Sequence, residues 1–540
     1  MFDLIIERAQ IVDGTGAPAY VGDIGVVGDR ITECGEASLA EAETKQRIDA
    51  RDLTVTPGFI DAHAHSDTYL LLEPSAPSKI SQGITTEVNG QCGGSAVPLF
   101  GEARMPSDWT SQQYPVLRDK QLSRSKHSGP TWSGIAEYRA LFEAVRPALN
   151  SVQFVGHNTL RAGVTGYEAR AAHADEVKEM ARRLEIAFDE GCRGLSTGLL
   201  YQPGKYAQPC EVKALAAVVA RHNGVLSTHM RSEGSALVES VEEMLDVARS
   251  TGVQLQISHL KTAGTSNWHK MRTVLQCLNE ARAEGVNLQA DRYPYLASGT
   301  ELDIVLPPWA EAGGRDAILR RVSDQASRER IIEFLDYESG RDWSRVMIGG
   351  GWSDLTRRYG GCTVAQAVTQ EGISAGELIC RFIEADEART GAFFFGMCME
   401  NMAQVFSENW VMPGSDASLR SPSGPLGRDH PHPRAYGTMP RYLRLMNGDI
   451  DGCTIVAPFE EAVRRMTSLP ASTFKLNQRG CISKGAYADL VVMDRSRLLD
   501  KADYANPHQF SEGILYTVVN GAVVYEGNGC FTGNHRGMLL

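Results

Sequence analysis

The sequence predicts an α/β protein built on a (β/α)8 barrel of the TIM type. A small β-sandwich made from both termini and an insertion before the last barrel strand complete the expected architecture. Three observations carry this. Apolar β-runs alternate with amphipathic helical patterns through the middle of the chain, and repeated strand–helix units build a parallel sheet. Run after run ends in a chemically loaded tip, as in GFIDAHAH, ITTEVNGQCG, GVLSTHMRSE, VQLQISHLK and VNLQADRYPY. Reactive residues at the carboxyl ends of successive strands mark a barrel rather than an open sheet. Both ends of the chain are rich in short strands.

At 540 residues the chain exceeds the ~250–300 residues that one core sustains. Residues 1–56 hold the β-runs DLIIERAQIVDG, DIGVVGDRITECG and RIDARDLTVTPG, and the C-terminal ADLVVMD and LYTVVNGAVVYEG share that style. Together 1–56 and 470–530 predict the β-sandwich. The barrel is expected over 57–300 and 406–469. Its helical signals are EVKEMARRLEIAFDE, EVKALAAVVARHN, ALVESVEEMLDVARS and MRTVLQCLNEARAE, with apolar residues at i, i+3 and i+4. Residues 301–405 break the rhythm with LPPWAEAGG and a charged helical run, and read as the insertion. The polar segment 101–131 reads as a loop over the barrel mouth.

Hydrophobic residues make up 42% and charged residues 22% of the chain, as in ordinary globular proteins, and no tract argues for disorder. The formal charge of −12 disfavours nucleic acid and anionic lipid as partners. Asp3 and Glu7 interrupt the N-terminal run where a signal peptide would be basic and then apolar. No stretch approaches the ~18–20 apolar residues of a membrane span. The expectation is a cytoplasmic protein whose 11 cysteines are mostly buried free thiols. The sequence sets no oligomeric state.

His63 and His65 form an H-x-H pair at the end of TPGFIDAHAH. Residues i and i+2 of a strand point the same way, so both rings face one point at the mouth. Cys92 follows the next strand between glycines, and a thiolate is a good zinc ligand. His229 and His259 each end a later strand. A Cys–His–His set with one open position is the form of a catalytic zinc site. Asp416, in VMPGSDAS, would face the H-x-H pair from the last strand, where a carboxylate can hold metal and take a proton from activated water. His157 ends a strand in VGHNTLR and is expected to line the pocket. His173, His222 and His269 read as surface residues, His127, His508 and His535 as loop or tail residues, and His430 and His432 as structural or mouth-lining.

This order of residues resembles the N-acyl-D-amino-acid deacylases (D-aminoacylases) of the amidohydrolase superfamily. The resemblance rests on HAHSD, VNGQCG, the two later histidines and GSD, with GLSTGLLYQPGKYA, ISHLKTAG, DRYPYLASGT and HPRAYGTMPRYL as further matches, and it covers essentially the whole chain. It implies one tightly bound zinc on Cys92, His229 and His259, and a second, weaker metal position on His63, His65 and Asp416. It implies Asp416 as general base and then acid, with a small-molecule N-acyl amino acid as substrate. The substrate's α-carboxylate would meet Arg434, Lys261, Tyr201 and Tyr293, with Ser298 adding a hydrogen bond. Arg434 fits best on physical grounds, because guanidinium binds a carboxylate with two parallel hydrogen bonds. No lysine ends a matching strand to bridge two metals, as happens in many members of the superfamily; Cys92 takes that place in the order. The long segment 417–433 and the large insertion surround the region expected to meet the substrate side chain. A different amide target (a cyclic amide, a dipeptide or an acylated natural product) and a non-catalytic scaffold on the same fold are the alternatives.

Overall fold

The structure, a computed structural model, describes residues 1–36, 38–103, 132–453 and 455–540. The loop expected at 101–131, with His127, lies outside the described residues from 104 onward.

Five strands open the chain: β1 (Phe2–Ile11), β2 (Tyr20–Val27), β3 (Arg30–Gly35), β4 (Thr44–Asp49) and β5 (Thr54–Pro57). The barrel begins with β6 (Phe59–Asp61), β7 (Ile84–Asn89), β8 (Asn150–Gly156), β9 (Gly194–Gly198), β10 (Val225–His229), β11 (Gln254–Ile257) and β12 (Leu288–Arg292). The insertion carries β13 (Ala297–Glu301), β14 (Val346–Ile348) and β15 (Gly391–Phe395), and the barrel resumes with β16 (Val411–Pro413). The chain ends with β17 (Leu490–Met493), β18 (Ile514–Val519) and β19 (Ala522–Tyr525).

The barrel strands lie in the order β16-β12-β11-β10-β9-β8-β7-β6. Closure comes just beyond the strand ends. The Asp416 amide donates to His63 O at 2.8 Å and the His65 amide to Ala417 O at 3.3 Å. Amphipathic helices cover the outside. In the helix Leu237–Thr251, the buried residues Leu237, Val241, Met244 and Ala248 recur every three or four positions and turn one stripe onto the sheet.

The terminal strands hydrogen-bond as one mixed sheet, β19-β18-β17-β5-β1-β2-β3 with β4 beside β1. The expected sandwich forms by this sheet curling on itself. Ile31 donates to Ala486 O and Ala488 to Asp29 O, which brings β3 back to the residues just before β17. Leu4, Ile6, Ile24 and Val55 from one end of the chain thereby pack with Leu490, Val492 and Val518 from the other. The chain's last residues return to the barrel, where Gly537 donates to Pro147 O and Leu540 to Ser151 O.

The insertion forms an antiparallel sheet, β13-β15-β14. Its helices bury an apolar cluster of their own, including Leu302, Ile331, Leu378, Ile379 and Phe382. The helix Met399–Ser407, by contrast, packs Met402, Val405 and Phe406 into the barrel's cluster. Among the described residues, no helix is long and apolar enough to cross a membrane.

Candidate active site and metal centre

Three non-glycine residues at the barrel mouth hold left-handed backbone: Cys92 at φ 52°, His259 at φ 35° and Asp416 at φ 50°. Such conformations cost about 1–3 kcal/mol each and persist where surrounding contacts over-determine them. At Cys92 those contacts are visible. Asp67, buried and two residues past His65, accepts from the Gly90 and Ala96 amides at 3.2 Å and from Gln153 Nε2 at 2.8 Å. Gly90 is itself at φ 79°, and a Cβ there would fall 2.3 Å from Phe154 O, so only glycine fits the turn.

The structure gathers His63, Cys92, His259 and Asp416 so that one ligand atom from each lies within 4.8 Å of the others, and it groups His229, Glu233 and His259 in the same way. Cys92 Sγ is 3.3 Å from both His63 Nε2 and His259 Nε2. His229 Nδ1 is 2.9 Å from His259 Nε2. Asp416 Oδ1 is 3.0 Å from His65 Nε2 and 3.4 Å from His63 Nε2. The resemblance implied two triads; the geometry makes one continuous cluster in which Cys92 and His259 adjoin His63.

These donors suit a divalent metal. Soft thiolate, imidazole and carboxylate converge in a buried space, and His229 Nε2 has no hydrogen-bond partner among the described residues. Electrostatics agree. Burial pushes the Cys92 thiol up, but the facing His63 and His259 outweigh it and hold Cys92 well below the usual thiol range. Burial likewise opposes ionisation of Asp416, and Arg434 above all reverses this, holding its carboxyl well below the usual range. The thiol and the carboxyl are therefore both held in the anionic form that binds metal.

Neighbours orient the ligands. Asp291, fully buried, lies 3.2 Å from His63 Nδ1 and accepts from the His259 amide at 2.9 Å. Glu233 Oε1 lies 2.8 Å from His259 Nδ1 and accepts from Lys261 Nζ at 2.5 Å. A carboxylate on the far nitrogen of a ligand histidine fixes its tautomer and ring plane. Neither Asp291 nor Glu233 stood out in the sequence. The signal that was available was a charged residue inside or just past an apolar barrel strand.

The cluster opens into a cavity of about 940 Å³. His65, Cys92, His229, His259 and Asp416 line its floor, with Tyr201, Lys261, Tyr293, Ser298 and Arg434 around them; Trp352, Phe393 and Phe394 of the insertion form part of the wall. Arg434 opens the helix Arg434–Met446, sets Nη1 2.7 Å from Asp416 Oδ2 and lies 4.7 Å from the centre of the Tyr293 ring. The Tyr293 hydroxyl is buried with no hydrogen-bond partner among the described residues. Tyr201 packs its ring 4.7 Å from that of His229 and accepts from Thr300 Oγ1 at 3.2 Å.

His157 does not line the cavity as expected. It begins a helix (His157–Thr165) behind the wall, fully buried, with Nε2 2.8 Å from Glu211 Oε1. The chain turns into that helix immediately after β8, which carries the ring into the packing layer; its neighbours Asn158 and Thr159 face the cavity instead. His432 is bonded to Ala297 O at 3.0 Å and to the Arg434 amide at 3.0 Å, and it also lines the cavity.

With this geometry in hand, known proteins give a consistent picture. The profile described as Amidohydrolase family matches residues 46–303 and 419–525. N-acyl-D-glutamate deacylase of Alcaligenes xylosoxydans xylosoxydans is 34% identical, across 97% of this chain and 93% of that protein. Among solved structures, N-acyl-D-glutamate deacylase from Bordetella bronchiseptica, complexed with zinc and a phosphonate mimic of the reaction's tetrahedral intermediate, is 31% identical with a TM-score of 0.81, covering 100% of this chain and 99% of that one. A D-aminoacylase described with a binuclear metal centre is 32% identical with a TM-score of 0.80, covering 100% of both chains.

Proposed function

Because the chain belongs to the amidohydrolase family, we infer that it catalyses metal-dependent hydrolysis of the amide bond of N-acyl-D-amino acids, releasing a carboxylate and a free D-amino acid. The observation that carries this reading is the cluster of His63, Cys92, His259 and Asp416 at the carboxyl ends of the barrel strands, joined to His229 through His259. Full-length similarity to deacylases supplies the substrate class.

Cys92, His259 and His229 would hold the tight zinc, and His63 and His65 with Asp416 would hold a second ion. Zinc held there would supply the positive charge that polarises an amide carbonyl and would lower the pKa of a water bound to it to about 7. The rest is the work of the chain's own side chains. Asp416 accepts the proton of the attacking water at its carboxylate and delivers it to the departing nitrogen. Arg434 grips the substrate's α-carboxylate. In the free protein the same guanidinium neutralises Asp416 at 2.7 Å. A substrate carboxylate docking there draws positive charge away from Asp416 and raises its basicity when a base is needed. Lys261 and Tyr293 complete the polar wall, and Ser298 faces the same space. The reading includes a cytoplasmic location and a small-molecule substrate; the net charge of −12 disfavours nucleic acid and anionic lipid as partners.

The test is amine release from paired N-acetyl-D- and N-acetyl-L-amino acids with acidic, aliphatic, aromatic and sulfur side chains, using zinc-loaded protein. Turnover of D forms alone, abolished by a chelator, is expected. No turnover of any pair with zinc bound would move the substrate to another amide.

A further inference from the structure

Three charged side chains lie beneath the metal cluster with no solvent exposure: Asp61 at the end of β6, Glu87 in β7, and Lys79 in the short helix Pro77–Ile80 between them. Lys79 Nζ reaches Glu87 Oε1 at 2.7 Å and Asp61 Oδ2 at 3.2 Å. It also donates to Ser415 Oγ at 3.0 Å and to Ala417 O at 2.9 Å, the residues on either side of Asp416. Asp61 closes the circuit, accepting from the Ser415 amide at 2.7 Å and from the His63 amide at 3.3 Å. Burying an ammonium costs several kcal/mol unless it is fully paired, and here the bonds to Ser415 and Ala417 tie the segment after the first barrel strand to the one after the last, while the bond to Glu87 ties it to the second strand.

We propose that Lys79 is the positioning residue of Asp416: through Ser415 and Ala417 it holds the backbone on both sides of the carboxylate, and through Asp61 it locks that segment to the one carrying His63 and His65. The geometry at Asp416 suits such a clamp. Its φ is +50°, which an L-residue leaves when released, and rotation of this one residue would swing the carboxylate away from His65 and the reacting water. Lys79 touches neither substrate nor ligand atoms, so its removal acts through Asp416 on the chemical step rather than on substrate binding or on the zinc at Cys92, His229 and His259.

The inference rests on Asp416 acting as the base, so Asp416→Asn is measured alongside Lys79→Met. Asp416→Asn with near-normal turnover removes that reading. Asp416→Asn inert while Lys79→Met turns over normally removes only the positioning role. The expected result for zinc-loaded Lys79→Met is a kcat about 100-fold lower, the loss typical of a 1 Å misplacement, with KM and zinc content within about twofold of the parent protein by the same argument. The double variant Lys79→Met, Glu87→Gln removes one charge of each sign and is expected to regain thermal stability without regaining kcat. Recovery of kcat together with Tm would show a purely structural lysine and overturn the proposal. Ser415→Ala, a small neutral truncation, decides the matter if the Lys79 variants do not fold. It removes a buried hydroxyl that also donates to Asp61, so Tm falls modestly, and it is expected to lower kcat at least about fivefold at unchanged KM; wild-type turnover in it overturns the proposal.

Discussion

The barrel mouth and the insertion bury different things. At the mouth, Asp61, His63, Lys79, Glu87, His259 and Asp291 are almost fully enclosed, and three residues hold strained backbone. Beside it, the insertion packs an apolar cluster around Leu378, Ile379 and Phe382 and encloses the carboxylate of Asp386, bonded to the Trp352 and Ser353 amides and to Thr356 and Thr390. A polar network in low dielectric is intolerant, because each lost partner leaves a buried charge. An apolar cluster accepts volume-conserving change. The chemistry therefore sits where change is least tolerated, and the wall facing the substrate belongs to the unit that is freer to vary.

The contrast is testable from its strongest side downward. Asp416→Ala should lower kcat/KM by about a thousandfold or more, within the range of a lost general base, while zinc analysis still finds metal at the position built on Cys92 and His259. Cys92→Ala should instead weaken zinc binding by about a hundredfold or more, beyond the loss of an outer partner, as read by competition with a chromophoric chelator. Phe382→Ala should destabilise the insertion by about 3–5 kcal/mol and leave zinc content unchanged; loss of zinc there would mean that the two regions are not independent. Arg434→Lys should raise KM about tenfold, since a point charge replaces a fork. The smallest effect concerns Asp303 on the cavity wall. Burial, with Glu301 beside it, pushes this carboxyl up to about 8. The folded state then holds a proton that the unfolded chain has released, so stability falls as pH rises from about 4 through about 8. Asp303→Asn should flatten that slope and raise Tm at pH 9 more than at pH 5.

Most of the site could be found in the sequence because strand ends and ligand types mark it. His63, Cys92, His229, His259 and Asp416 each follow an apolar run, and a parallel barrel brings all such ends to one rim. What joins them could not be read there. Which histidine adjoins Cys92 depends on ring orientation, set by Asp291 and Glu233 across strands. Lys79 stands in SAPSKISQG, a stretch with no periodicity, and its role exists only once β6, β7 and the 415–417 segment meet around it. His157 was misplaced because a strand end predicts direction only if the chain continues as a loop, and here it turns at once into a helix. Met399–Ser407 has the amphipathic pattern of any helix, and only packing shows that it leans on the barrel.

The seam that closes the barrel also orders events in time. His65 and Asp416, 3.0 Å apart, are separated by 351 positions in the chain, with the whole insertion between them. Synthesis delivers Cys92, His229 and His259 long before the 415–417 segment that carries Asp416 and meets Lys79. Domains generally fold as units, and this barrel cannot close until β16 has been made, so the Asp416 carboxylate joins the thiolate and imidazoles only when the seam forms. The last barrel strand is thus the piece that completes the cluster, although it lies far along the chain from the first.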